Sequence, residues 1–196
     1  MLALRFTSYQ SFISGVIALG LLTHFFATDL LAKDKLGRPG VGDVAADFEL
    51  LSPDERKMQL SQLTAEGPVV VIVLRGYPGY QCPVCSTQLG QFLSKAKSFE
   101  KAKAQVVMVY PGPAEGLKKH AEDFVSGKTL PGNFHLVFDP DYTFTKAWHL
   151  RWDAPNETAY PATFVVDGKG KIQFTKISMT HGGRAGVDEV LKAVAQ

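Results

Sequence analysis

Apolar positions along this chain fall into runs whose spacing changes several times, and each change predicts an element. Pro68–Leu74 (PVVVIVL) is a continuous, β-branched run, the pattern of a strand buried on both faces. After it, Leu89, Phe92, Leu93, Ala96 and Phe99 recur at helical spacing, which predicts a helix from about Cys82 to Lys101. Gln105–Tyr110 (QVVMVY) reads as a second buried strand stopped by Pro111-Gly-Pro113, and Leu117, Ala121, Phe124 and Val125 mark a helix ended by Gly127. His135–Phe138 predicts a short strand closed by Asp139-Pro-Asp141, followed by a helical turn or two at Phe144, Ala147 and Trp148. Thr163–Val166 and Lys171–Ile177 are strands joined by Asp167-Gly-Lys-Gly170, a hairpin signal. Val187, Val190, Leu191 and Val194 predict a closing amphipathic helix. Upstream, Phe48–Leu51 reads as a short edge strand, Ser52–Glu55 as a turn and Met58–Leu63 as a brief element.

Strand and helix alternate and then end in a hairpin. Alternation implies parallel strands with crossovers, and the hairpin adds an antiparallel edge. The expected architecture is α/β, a central mixed β-sheet with helices on both faces. Open sheets of this kind place their chemistry where strands deliver their carboxyl ends. The loop leaving the 68–74 strand is therefore the first place to look.

The N-terminus has a different pattern. Residues 6–28 carry no formal charge and Phe12–Ala27 is strongly apolar, with Arg5 before it and Asp29, Lys33, Asp34 and Lys35 after it. A positive start and an apolar centre describe a secretory signal peptide, and the length also approaches the ~20 residues of a membrane-spanning helix. Residues 1–32 are read as a signal peptide or a membrane anchor, with a buried helix as the remaining alternative. Residues 33–44, with three Gly and one Pro, are read as a linker and 45–196 as one domain. Either export reading places the domain outside the cytoplasm, periplasmic or secreted, or tethered through residues 6–28. The formal charge of +2, with acidic and basic residues interspersed, gives no argument for nucleic acid.

Both cysteines of the chain, Cys82 and Cys85, stand in the loop singled out above, at C-x-x-C spacing. Two thiols so spaced can close a small disulfide ring and reopen it by exchange. A cysteine attacks as its thiolate, and the first turn of a helix, with exposed N–H groups and the positive end of the dipole, favours that anion. Pro83 suits the first helical turn, where its missing donor costs nothing, and Arg75 at the strand's end is a second source of positive charge. A zinc site is disfavoured, because no second Cys pair exists and His120, His135, His149 and His181 lack ligand spacing. A static disulfide remains an alternative, although so short a ring constrains little of the unfolded chain.

Gly79-Tyr-Gln-Cys82-Pro-Val-Cys85 after a VVVIVLRG strand resembles the redoxin branch of the thioredoxin superfamily. That branch includes the alkyl hydroperoxide reductase/thiol-specific antioxidant proteins, or peroxiredoxins. The resemblance spans about residues 41–194 and implies a thioredoxin-like fold. In the family, P-x-x-x-T-x-x-C ends on the peroxide-attacking cysteine. Pro78 and Cys85 keep that spacing, which gives Cys85 the attacking role and makes Cys82, standing where the family has threonine, its resolving partner. Thioredoxins attack with the first cysteine of C-x-x-C, here Cys82, so the reverse assignment stays open. Arg75-Gly76 and Cys82-Pro83-x-Cys85 also resemble peroxiredoxin-like members with an R-G-x-W-C-P-x-C loop, apart from a longer insertion and a missing Trp. Val41–Phe48 resembles the family's G-x-x-A-P-x-F opening, and Phe138–Asp141 followed by a helix is also usual.

Tyr160-Pro-Ala-Thr-Phe-Val-Val-Asp167 matches the segment that faces the active cysteines. Thioredoxins have a cis proline there, which is expected of Tyr160–Pro161; a trans proline that merely begins a strand is the alternative. Typical peroxiredoxins instead carry an arginine at Pro161, which helps to polarise peroxide. Arg75, Arg151 and Arg184 are the candidates to replace it, and His181 is either a supporting group or a loop histidine. Asn156-Glu-Thr158 matches a glycosylation sequon, a pattern common by chance.

The resemblance implies a thiol-based antioxidant oxidoreductase that reduces peroxides by cycling Cys82 and Cys85 between dithiol and disulfide. Its partners would be a peroxide and an external thiol reductant such as a thioredoxin-like donor, with no metal or organic cofactor. The alternatives are an exported thiol–disulfide oxidoreductase acting on protein disulfides, and a non-catalytic binding module with a static disulfide.

Overall fold

The structure is a computed structural model and describes residues 37–196. The segment read as a signal or anchor, residues 1–32, lies outside the described residues, among which no helix is long and apolar enough to cross a membrane. The chain runs β1 (Glu49–Leu51), β2 (Lys57–Gln59), α1 (Leu60–Glu66), β3 (Val69–Val73), α2 (Pro83–Ser94), α3 (Ala96–Lys101) and β4 (Gln105–Gly112). It continues through α4 (Leu117–Val125), β5 (Phe134–Pro140), α5 (Thr143–Ala147), β6 (Ala162–Val166), β7 (Ile172–Ile177) and α6 (Val187–Val194).

Five strands form the central sheet in the order β5-β4-β3-β6-β7. β3, β4 and β5 are mutually parallel, while β6 and β7 add antiparallel partners beyond β3. This is the mixed sheet of the thioredoxin-like fold. β1 and β2 make a separate antiparallel pair.

The side-chain period of two divides β3 between two cores. Val70 and Ile72 join Leu74, Leu89, Phe92, Phe99, Tyr110, Leu117, Phe124 and Val190 on the face covered by α2, α3, α4 and α6. Val69, Val71 and Val73 join Phe48, Leu60, Phe144, Trp148 and Phe164 on the other face, covered by α1 and α5. Every residue of β3 is buried, which explains its uninterrupted apolar sequence. Each such side chain contributes about 2 kcal/mol through removal from water.

Two element boundaries differ from the sequence expectation. The helix expected over Cys82–Lys101 is broken at Lys95, whose φ of −110° and ψ of 13° leave the helical region. There the N–H of Lys95 bonds to the Phe92 carbonyl at 3.1 Å, tightening the turn, while Phe92 and Phe99 stack with centroids 5.5 Å apart. β4 runs on through Pro111 to Gly112, pairing with Asp139 and Pro140 of β5. Pro111 lies beyond the last β3–β4 pair, so its missing donor removes no bond from that ladder.

Candidate active site

The loop leaving β3 is fixed residue by residue. Leu74 still donates to the Val109 carbonyl at 2.9 Å, and the chain then turns at Gly76. Gly76 has φ of +72°, and a Cβ there would lie 2.0 Å from the Pro111 carbonyl oxygen, so only glycine fits. Tyr77 stacks on His120 of α4, with ring centroids 3.7 Å apart. Gln81 donates from Nε2 to the His120 carbonyl at 2.7 Å and accepts from the Tyr110 hydroxyl at 3.0 Å. Burial pushes the Tyr110 phenol up, so this group stays neutral. The loop thereby delivers Cys82 as the N-cap of α2, with Pro83 in the first turn. Cys85, Leu89 and Phe92 share the buried face of that helix, which draws the dithiol into the core.

Cys82 and Cys85 are free thiols, exposed by only 2% and 1%. Cys82 Sγ accepts the Cys85 backbone N–H at 3.4 Å, and Cys85 Sγ accepts the Arg75 backbone N–H at 3.5 Å. Arg184 Nη2 lies 3.3 Å from Cys85 Sγ and 3.7 Å from Cys82 Sγ. A hydrogen bond from the Cys85 thiol, the Cys85 N–H and the charges of Arg184 and Arg75 outweigh burial and hold the Cys82 thiol down at about 5. The same hydrogen bond between the two sulfurs, together with burial, pushes the Cys85 thiol up. The pair thus carries one negative charge and one shared proton, with the charge resting on Cys82 at the helix N-terminus.

Of the three candidate arginines, Arg184 reaches the sulfurs with its side chain. Arg75 contributes its backbone N–H, but its guanidinium turns to Glu157 Oε2 at 2.9 Å, the Tyr80 hydroxyl at 2.6 Å and the Asn156 carbonyl at 2.9 Å. Glu157 binds His181 Nε2 through its other oxygen at 2.8 Å. Although burial opposes it, these contacts with Arg75 and His181 hold the Glu157 carboxyl below the ordinary range. Arg151 serves the backbone, donating to the Trp152, Glu157 and Thr158 carbonyls, and its guanidinium lies 4.2 Å from the centre of the Tyr142 ring.

The Tyr160–Pro161 peptide is trans, contrary to the cis bond expected; among the described residues no peptide is cis. Pro161 is buried just ahead of β6, and its carbonyl accepts the Ser178 N–H at 2.8 Å. The trans form, the lower in energy for an X–Pro bond, lets it act as the first residue before a strand, where no donor is required. Its link to the site is indirect. The Ser178 hydroxyl donates to the Thr180 and Gly182 carbonyls, and so shapes the loop that bears His181 and Arg184. Gly183, with φ of +66°, completes that turn. Pro78 is half-buried in the bend before the dithiol.

Sequence reasoning missed Glu157, Gln88 and Tyr80. Glu157 lies in an irregular stretch noticed only as a sequon, and Gln88 looked like an ordinary helix residue. The one available signal for Gln88 is its place three residues after Cys85, on the same helix face. The histidines are dispersed: His120 lies on Tyr77, His135 on Gln105 and His181 on Glu157. Among the described residues no group of three or more His, Cys, Asp or Glu could hold a metal ion.

The model of the AhpC/TSA family matches residues 41–175. The chain is 28% identical over 138 residues to the chloroplastic peroxiredoxin Q of Oryza sativa subsp. japonica, covering 70% of this chain and 59% of that protein. It is 28% identical over 161 residues to a 1-Cys peroxiredoxin of Triticum aestivum, covering 79% of this chain and 71% of the other. The chain thus spans less than two thirds of the rice and wheat peroxiredoxin Q sequences it matches. Among solved structures, it is similar to the peroxidoxin BcpB of Mycobacterium tuberculosis, with a TM-score of 0.61 at 24% identity over 79% of this chain and 96% of that one. It is likewise similar to AhpC of the same organism, with a TM-score of 0.63 at 20% identity over 81% and 92% of the two chains. These structural likenesses establish a shared fold.

Proposed function

Because this chain belongs to the AhpC/TSA family, we propose that it is a thiol peroxidase that reduces hydroperoxides through Cys82 and Cys85. The observation that carries the reading is the buried sulfur pair at the head of α2, held by Arg184 Nη2 at 3.3 and 3.7 Å and by two backbone N–H groups. The shared proton passes to Cys82, and Cys85, in the family position, attacks the terminal peroxide oxygen as its thiolate. The O–O bond breaks, the alkoxide leaves and takes a proton, and Cys85 becomes a sulfenic acid. Cys82 then attacks that sulfur, an S–S bond forms, and the sulfenic oxygen leaves as water. An external dithiol returns two electrons and two protons to the pair.

A second reading is thiol–disulfide exchange with a protein disulfide, begun by Cys82. It is favoured by the position of the resting charge, since Cys82 is the thiol held at about 5. Stopped-flow oxidation of the reduced full chain by hydrogen peroxide separates the two, with Cys82→Ser and Cys85→Ser alongside and sulfenic acid trapped chemically. Fast oxidation that survives Cys82→Ser and is lost in Cys85→Ser is the expected result. Reaction no faster than free cysteine, with rapid exchange through Cys82, would overturn the peroxidase reading. The export-like residues 1–32 support a site of action outside the cytoplasm, which fractionation of cells carrying the full chain tests directly.

A further inference from the structure

Besides a thiolate, the side-chain sulfur open to two-electron oxidation by a peroxide is the thioether of methionine. The described residues include Met58, Met108 and Met179. Met58 and Met108 are buried, one in each core. Met179 is 52% exposed and lies on the loop between β7 and α6.

Exposure alone would make Met179 an ordinary surface residue. Its sulfur, however, accepts a bond from Arg38 Nη1 at 3.0 Å. Arg38 is itself only 6% exposed, and its guanidinium is fixed from two further sides. Nε donates to the His149 carbonyl at 3.2 Å, and the group lies 4.5 Å from the centre of the Tyr160 ring. That ring in turn stacks on Trp152 with centroids 4.8 Å apart. A charged, planar donor therefore meets a weak acceptor along one set direction. A thioether carries its two lone pairs on opposite faces of the C–S–C plane. Arg38 engages one of them, and the other is left for an oxidant. Oxygen added to one face gives one sulfoxide epimer, and oxygen added to the other face gives the second.

We propose that Met179 is a peroxide-modification site of this chain, at which Arg38 covers one face of the sulfur so that one sulfoxide epimer predominates. A lone pair of Sδ attacks one peroxide oxygen, an S–O bond forms and the O–O bond breaks. The released hydroxide takes the proton from the oxygen left on sulfur and departs as water; the sulfur loses two electrons and the peroxide gains them. The two epimers are reduced by different methionine sulfoxide reductases, so one of those two enzyme classes restores the site. Met179 follows Ser178, whose hydroxyl shapes the turn that bears His181, and the oxidation thus falls on a loop of the dithiol site. The step needs a peroxide and this sulfur alone, and does not rest on the peroxidase reading.

The test treats the full-length protein with hydrogen peroxide in excess over its two thiols, digests it and reads one added oxygen per methionine by mass spectrometry. Portions of the digest incubated with each epimer-specific reductase give the epimer ratio at Met179. One epimer is expected in excess by about threefold or more, the ratio that a hydrogen bond of ordinary worth sustains between two faces. Protein oxidised after unfolding in urea should give nearly equal epimers, and so should folded Arg38→Gln. Arg38→Lys, whose single ammonium lacks the fork that fixes the direction of approach, should shrink the excess. If Arg38→Gln does not fold, the Arg38→Lys protein decides in the same way. Nearly equal epimers in the folded parent, or an excess unchanged when Arg38 is replaced, would overturn the proposal. So would oxidation of Met58 or Met108 ahead of Met179.

Discussion

Glu157 shows how much can depend on a residue with no pattern in the sequence. Its two oxygens hold Arg75 at 2.9 Å and His181 at 2.8 Å, joining the end of β3 to the loop that bears Arg184. The Arg75 side chain is only 3% exposed, so removing its partner strands a nearly buried cation. Glu157→Gln is expected to cost about 3 kcal/mol, as breaking a buried ion pair does, and urea unfolding of the reduced protein measures it. The dithiol, by contrast, was legible from spacing alone, because C-x-x-C after a buried strand is a local signal. Arg184 was one of three arginines that composition could not separate. Its selection depends on contacts across 99 and 102 positions of chain, which no window of sequence contains.

At the scale of elements, hydrophobic period carried most of the information. β3 could be read because all its positions are apolar, and α2 because its buried residues recur on one face. The break at Lys95 left no mark, since no glycine or proline stands there; Phe92 and Phe99 stack across it. Pro111 looked like a stop, yet pairing with β5 alone carries β4 past it. The join between β3 and the dithiol loop has a sharper requirement. Gly76→Ala places a side chain in a left-handed backbone and against the Pro111 oxygen. The first effect alone costs about 1–2 kcal/mol, so a loss larger than that is expected in thermal unfolding. A variant as stable as the parent would mean that the loop rearranges freely.

For the molecule as a whole, the dithiol makes stability depend on pH in a direction that can be worked out. The Cys82 thiol is lowered to about 5, so the stability it contributes is present above the ordinary thiol pKa and is lost as pH falls through about 5. The Cys85 thiol is raised, so its contribution is present below the ordinary thiol range of about 8.5 and is lost progressively as pH climbs above it toward the raised value. The reduced protein should therefore gain stability relative to its Cys82→Ser variant between about pH 5 and 8.5, and denaturant unfolding of both across that window checks it. A constant difference would show that the charge on Cys82 is not coupled to folding. The two cores, one on each side of the sheet, make this a global effect. The site sits within the larger helical core, and the opposite core of Phe144, Trp148 and Phe164 carries none of the chemistry.

The burial of both sulfurs turns reactivity into a question of size. With exposures of 2% and 1%, neither sulfur can meet a large electrophile unless the structure around it opens locally. A bulky maleimide should therefore label the reduced protein at a rate set by that opening, and mild urea should accelerate it as local unfolding becomes cheaper. Hydrogen peroxide is small enough to be far less sensitive to the same urea. Labelling as fast as that of a free thiol, with no response to urea, would show that the gate stands open.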